Sequence, residues 1–244
     1  MRIVVLNSGR KKGNTRTIID NIKDNLKLRK AEWVYYNLND YDINYCKGCE
    51  LCLRKGSCVI EDDVQILMEA LKKADGVIMA SPVYMGNISG KLKTFIDRTC
   101  RWYHRPELIG VPLLSVVSTA GSDLKHTLNY LEKTGIYWGM QPAGKIGKKF
   151  KEYDLIEQVE YKNFIWHLKN EQVHYSPSLK QLIYYQVQKI LAENILDKDR
   201  KFWEQKGWLN ELFYYDCRIN IFKKSIATLF YKFLKKKIAD KKIT

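Results

Sequence analysis

The sequence predicts an α/β chain, a doubly wound five-stranded parallel sheet followed by a helical extension. Three observations carry that prediction. Short stretches of strand length stand at 3–6, 32–38, 76–80 and 111–118, mostly apolar or aromatic. Between them lie segments whose apolar residues recur at helical spacing. From about Lys145 the alternation stops and the composition changes. Strands alternating with helices give a parallel sheet with helices on both faces, which binds ligands beyond the carboxyl ends of its strands.

Ile3 to Leu6 is the first strand, and it breaks at Asn7-Ser8-Gly9. Ile18, Ile19, Ile22 and Leu26 then mark one face of a helix. Glu32 to Leu38 reads as a second strand. Asp62 and Asp63 suit a helix start, and Val64, Leu67, Met68 and Leu71 form its buried stripe. Gly76 to Ala80 is a third strand. Ser89 suits a cap for a helix whose inner face is Leu92, Phe95, Ile96 and Thr99. Val111 to Ser118 is a fourth strand. Leu124, Leu128 and Leu131 mark a further helix stopped at Gly135, and Ile136 to Met140 is a weaker fifth strand. These assignments divide the chain into 1–145 and a helical extension, 146–244. The extension reads as helices at 155–170, 179–196 and 218–238, with a break at Ser176-Pro177-Ser178. From Phe150 onward stand 18 of the 30 aromatic residues and one glycine, Gly207.

Hydrophobic content of 45% over 244 residues suffices for a globular core. No apolar run approaches the roughly 20 residues of a membrane span. The chain opens directly on a strand with no signal peptide, which predicts a cytoplasmic protein. The net charge is +15, but Arg218 to Lys242 holds nine basic residues and one acidic residue, Asp240. More than half of the excess is therefore a property of the tail, and nucleic acid is not an expected partner.

The predicted loops after strands one, three and four leave the same sheet edge, and all are rich in Ser, Thr, Gly, Asn or Pro. In the first, Ser8, Arg10, Asn14 and Thr15 surround a helix N-terminus. Free N–H groups and the helix dipole there suit a phosphate. The loop fits neither the dinucleotide fingerprint nor the P-loop motif. Taken alone it also reads as an ordinary strand-to-helix turn.

The most specific motif is C-x2-C-x2-C-x5-C, formed by Cys46, Cys49, Cys52 and Cys58. Three cysteines at two-residue gaps suit three corners of a [4Fe–4S] cluster, and Cys58 is placed to reach the fourth iron. Gly48 and Gly56 give the backbone freedom to turn sulfurs inward. A zinc site more often pairs two elements across a longer loop. No Pro follows Cys58, unlike the bacterial ferredoxin run. Zinc, a regulatory disulfide and free thiols are the alternatives. Cys100 and Cys217 stand alone and read as packing residues, and the four histidines as surface or packing residues.

Taken together, these pieces resemble the iron–sulfur flavoprotein branch of the NAD(P)H-dependent FMN reductases, within the flavodoxin-like fold. The matching residues are Ser8-Gly9-Arg10 through Gly13-Asn14-Thr15, the cysteine motif, Asp62-Asp63, Ser81 to Tyr84, and Ser89 to Lys93 with Phe95 to Arg98. The resemblance implies FMN, with its phosphate on Ser8, Arg10, Asn14 and Thr15. It places the isoalloxazine ring against Pro82, Val83, Tyr84, Met85, Gly86 and Asn87, with Thr119, Ala120 and Gly121 at the other edge. It implies a flavin oxidoreductase with no catalytic acid or base, an NAD(P)H or ferredoxin-type donor, and a homodimer or tetramer. A flavin beside a cluster would join two-electron to one-electron chemistry.

The last hundred residues depart from the family pattern. Ile219, Phe222, Ile226, Leu229, Phe230 and Phe233 form an apolar stripe, flanked by Lys223, Lys224, Lys232 and Lys235 to Lys237. Such a helix either packs on the core with a solvated lysine face or makes a weak membrane or protein contact through 218–242. Two other functional readings stand beside the first. One is a cluster-free NAD(P)H-dependent FMN or quinone reductase; the other is a docking module on a flavodoxin-like core.

Overall fold

The computed structural model describes residues 1–26, 28, 30–170 and 172–241. Lys242 to Thr244, the end of the basic stretch, lie outside the described residues. In chain order the elements are β1 (Arg2–Asn7), α1 (Asn14–Leu26), β2 (Glu32–Asn37), α2 (Leu51–Arg54), α3 (Val64–Lys72), β3 (Gly76–Pro82), α4 (Gly90–Arg98) and α5 (Arg101–His104). There follow β4 (Pro112–Thr119), α6 (Leu124–Tyr137), β5 (Gln141–Lys149), α7 (Gln158–Lys169), α8 (Leu179–Asn194), α9 (Asp197–Gln205) and α10 (Ile221–Lys241).

The chain divides into two compact units: 1–48, 60–100 and 107–169 form the first, and 49–59, 101–106 and 170–244 the second. In the first unit the five strands run parallel in the order β2-β1-β3-β4-β5, the flavodoxin-like order. Central strands buried on both faces need continuous apolar runs, and Ile3 to Leu6 and Val77 to Ala80 are fully buried. On one face Ile18, Ile19, Ile22 and Leu26 of α1 join Tyr161 and Phe164 of α7 over Val5, Ile78, Leu114 and Val116. On the other, Leu124 and Leu128 of α6 lie beside Gly147.

The stripe of α3 is buried as expected, with Asp62 accepting from the Val64 amide at its start. Ser89 caps α4 by accepting from the Leu92 amide. On α4, Ile96 is only half-buried, and Arg98 is buried in addition to Leu92, Phe95 and Thr99.

The fifth strand differs from expectation. Ile136 and Tyr137 complete α6, and β5 follows at Gln141–Lys149. Gly135 is not the helix stop: it faces β4, where an added Cβ would collide with the Leu113 side chain. The stop is Gly139, at φ 88°, where the Gly139 and Met140 amides donate to the Ile136 and Gly135 carbonyls. β5 runs through the expected boundary at 145/146. The helix expected at 155–170 starts at Gln158 and packs on β5 within the first unit.

In the second unit, Ser178 and Gln181 form a capping box that starts α8. Tyr185, Trp203, Trp208, Phe213 and Tyr214 make an aromatic core with ring centroids as close as 4.8 Å. Its polar tips are bonded: the Tyr185 hydroxyl donates to the Trp208 carbonyl at 2.6 Å, and the Tyr214 hydroxyl donates to Gln188. Helix α9 was not evident in the sequence pattern. α10 begins at Ile221 and packs on α8.

Candidate functional site

Because the strands are parallel, the loops after β1, β3 and β4 meet at one edge of the first unit. They enclose a cavity of about 190 Å³. The first loop contributes Gly9, Arg10, Gly13, Asn14 and Thr15. Pro82, Val83 and Tyr84 come from the second, and Ser118, Thr119 and Ala120 from the third. Tyr153, after β5, completes the lining.

The first loop is shaped by short polar side chains. The Asn7 carboxamide oxygen accepts from the Gly9 amide at 2.9 Å. The Gly9 carbonyl accepts from Asn37 at 3.0 Å and from Asn39 at 3.1 Å, which pins the loop beside β2. A Cβ on Gly9 would stand 2.9 Å from Thr15 Oγ1, so this position requires glycine. The Thr15 and Ser118 hydroxyls share a buried hydrogen bond of 2.6 Å, which ties the start of α1 to the end of β4. The Thr17 amide donates to the Gly13 carbonyl, the first bond of the helix. The amides before it have no partner inside the helix and carry the positive end of its dipole. Arg10 is the charged residue of the lining, so the field in the cavity favours an anion.

The second loop is a tight turn. Tyr84 and Asn87 exchange backbone hydrogen bonds of 2.8 and 3.1 Å across Met85 and Gly86, both at positive φ. This leaves Tyr84 half-exposed and Met85 fully exposed beside the cavity mouth. The third loop is braced by Thr119, whose hydroxyl accepts from the Gly121 amide at 3.0 Å and donates to the Ser122 carbonyl.

Of the expected phosphate and ring residues, Arg10, Asn14, Thr15, Pro82, Val83, Tyr84, Thr119 and Ala120 line this cavity. Ser8 does not: it is buried, and its amide and hydroxyl both donate to the Ala80 carbonyl. Met85, Gly86, Asn87 and Gly121 also lie outside the lining. Sequence reading missed Tyr153, whose hydroxyl accepts from the Asn14 amide group at 3.0 Å and donates to the Thr119 carbonyl. Its position in a strongly aromatic stretch hid it among packing residues. Ser118 closes an apolar strand and carried no separate signal.

The cysteine segment is held by charge. In the first unit, Arg98 and Asp62 form an ion pair with both side chains fully buried. The same guanidinium donates to the Asn44 carbonyl at 2.8 Å and the Ile60 carbonyl at 3.2 Å, the two stems of the segment. Burial alone would push the Asp62 carboxyl up. Arg98, with the Asn44 and Val64 amides, outweighs that and holds it below its usual value. In the second unit, Arg105 donates to the Cys52 carbonyl at 2.9 Å and the Leu53 carbonyl at 3.1 Å. Lys198 donates to the Lys55 carbonyl at 2.6 Å, and Arg101 to the Gly56 carbonyl. Asp199, fully buried, accepts from His104 at 2.8 Å and pairs with Arg105 at 3.1 Å. His104 is therefore part of this charged network, not a plain packing residue.

Cys46 and Cys49 are exposed, Cys58 is half-buried and Cys52 is buried. The Cys46 sulfur accepts from the Gly48 amide at 3.5 Å, a bond of the kind that tunes cluster sulfurs. Gly48, Glu50 and Gly56 have positive φ. The donor set, four thiols within thirteen residues, fits an iron–sulfur cluster in chemistry and spacing. Among the described residues, no three His, Cys, Asp or Glu side chains are gathered as a metal site. Cys100, expected to pack, is exposed, whereas burial pushes the Cys217 thiol up to about 11.

Residues 1–149 match the family model described as NADPH-dependent FMN reductase. The chain is 31% identical over 215 residues to an iron–sulfur flavoprotein of Archaeoglobus fulgidus, covering 84% of this chain and 98% of that one. It is 27% identical over 168 residues to an iron–sulfur flavoprotein of Clostridioides difficile, covering 66% and 74%. Among solved structures, RosB with its bound 8-demethyl-8-formylriboflavin-5'-phosphate intermediate aligns with a TM-score of 0.54 at 12% identity. That alignment covers 91% of this chain and 92% of RosB.

Proposed function

The chain belongs to the NADPH-dependent FMN reductase family and is an FMN oxidoreductase of the NAD(P)H type, and on that footing we propose how its residues divide the work. The three-loop cavity is the FMN site, and the observation that carries this is Arg10 in its lining beside the free amides at the start of α1. Arg10, the amides at the start of α1 and the side chains of Asn14 and Thr15 hold the phosphate dianion. At about 190 Å³ the cavity is smaller than the ~300–1,000 Å³ of ligand pockets, so it takes the phosphate and its chain. The ring lies over the mouth, on the Pro82–Tyr84 turn, with Thr119 and Ala120 on the far side. Ser8 supports the loop through Ala80 and does not touch the ligand. No side chain is needed as acid or base, because the flavin supplies hydride and electron chemistry when bound.

Cys46, Cys49, Cys52 and Cys58 ligate a [4Fe–4S] cluster, which makes the protein a junction between a two-electron donor and a one-electron acceptor. The spacing of the thiols and the names of the relatives support this. The donor is NAD(P)H or a ferredoxin-type protein, and the assembly is a homodimer or tetramer. One experiment tests both cofactors: anaerobic purification, then FMN, iron and acid-labile sulfide per chain, with absorption spectra before and after dithionite. FMN near one per chain with four irons and four sulfides is expected. Colourless protein that also fails to take up added FMN would refute the site. A second reading, a cluster-free FMN or quinone reductase, draws on the thiols not being gathered as ligands. Stoichiometric FMN without iron would select it.

A further inference from the structure

Helix α10 carries two apolar faces, and α8 covers one of them. Ala227 is fully buried, the Tyr231 hydroxyl donates to Glu193 at 2.8 Å, and Lys223 donates to the Pro177 carbonyl at 3.0 Å. The other face is a single row: Phe222, Ile226, Leu229 and Phe233, spaced by four, three and four residues. Their exposures are 75%, 46%, 65% and 60%. At about 100° per residue these four fall within one narrow sector of the helix. Single exposed apolar residues are ordinary, but a row of four with two phenylalanines is an interaction surface.

Charge decides what kind of surface meets it. Between Ile221 and Ile238 the helix has six lysines and no acidic residue. The same 100° geometry puts Lys236 on one border of the row and Lys237 on the other, with Lys232 one step beyond Lys236. A second copy laid against this row would bring two lysine-rich borders together, and like charges oppose that pairing. An anionic surface would be attracted by the same borders. No helix among the described residues is long and apolar enough to cross a membrane.

We infer that α10 is an interfacial helix that seats this protein on an anionic lipid surface, with Phe222, Ile226, Leu229 and Phe233 entering the acyl boundary and the lysines meeting the headgroups. Apolar area and electrostatic attraction both contribute in such a helix, so both are required. The oxidoreductase would then work beside a membrane. The inference does not depend on the cluster.

Vesicle co-sedimentation of the full-length protein tests this. The vesicles are pure phosphatidylcholine, or phosphatidylcholine mixed with phosphatidylglycerol. The wild type is expected on the mixed vesicles only, and raising the salt is expected to release it. The triple variant F222Q/L229Q/F233Q should lose binding at unchanged flavin content and helical circular dichroism. K232Q/K236Q should weaken it, by about fivefold for each lysine removed. Equal partitioning of the wild type onto both vesicle types, or onto neither, would overturn the inference without recourse to any variant. So would a wild-type dimer that the triple variant splits into monomers, since a second copy would then be the partner of this face.

Discussion

The glycine loop after β1 and the cysteine segment after β2 are both irregular stretches that carry chemistry, and they are held in opposite ways. The glycine loop is held by neutral groups, some near it in sequence and one remote: Asn7, Asn37 and Asn39, and the Thr15–Ser118 hydroxyl pair. The cysteine segment is held by full charges far from it in sequence. Arg98 clips its stems, while Arg101, Arg105 and Lys198 engage its backbone carbonyls. Neutral braces cost little when one is lost. Buried charges cost much, because removing one partner leaves the other without compensation. Substitutions in the two loops should therefore differ in size, not only in place.

The largest effect is expected at Arg98. Replacing it with Ala leaves Asp62 buried without its cation and should cost about 3–5 kcal/mol in urea unfolding. The same pair sets an acid limit. Because the Asp62 carboxyl is held low in the folded state, its contribution is complete above the ordinary carboxylate value and is lost as pH falls through the folded one.

Asp199→Ala should cost about 3 kcal/mol for the same reason, since it strands Arg105 and His104. Its distinguishing readout is local. In metal-free protein under native conditions, Cys52 should be alkylated several-fold faster, because the guanidinium that fixes its carbonyl is no longer anchored. An unchanged Cys52 rate beside a large stability loss would mean that Asp199 does not hold the segment.

A neutral brace should matter less. Tyr153→Phe removes the hydroxyl that joins Asn14 to Thr119, and one such bond is worth about 1 kcal/mol. FMN titration should show affinity weakened by a few-fold with little change in stability. A loss as large as that of Arg98→Ala would erase the contrast between the two loops.

At neutral pH the smallest effect is expected at His167, where burial pushes the imidazole from 6.5 down to about 4. It is neutral in the folded state where the unfolded chain already takes up a proton. Its contribution is therefore complete above pH 6.5 and lost as pH falls from 6.5 toward 4. Unfolding midpoints across that range should fall less steeply in His167→Gln than in the wild type.

The same contrast marks what the sequence disclosed. β1, α1, α3, β3 and β4 were legible because local periodicity and burial coincide there, as at Ile18, Ile19, Ile22 and Leu26. β5 was not, because GKIGKK in its second half reads as a polar loop, whereas Ile136 and Tyr137 looked more strand-like and belong to α6. α9 was hidden because one of its two buried residues is Asp199, which breaks any apolar period. Most of the cavity lining could be placed from loop composition, but Tyr153 could not: it reaches Asn14 from 139 residues away. The charged braces of the cysteine segment are equally remote, with Arg98 acting on Asn44 from 54 residues off.

Arg98 has an evolutionary consequence. One guanidinium receives the chain at Asn44 and again at Ile60, so the span between leaves and re-enters the scaffold at a fixed gate. A lineage could lengthen, shorten or re-equip the span and keep the two points at which Arg98 holds it.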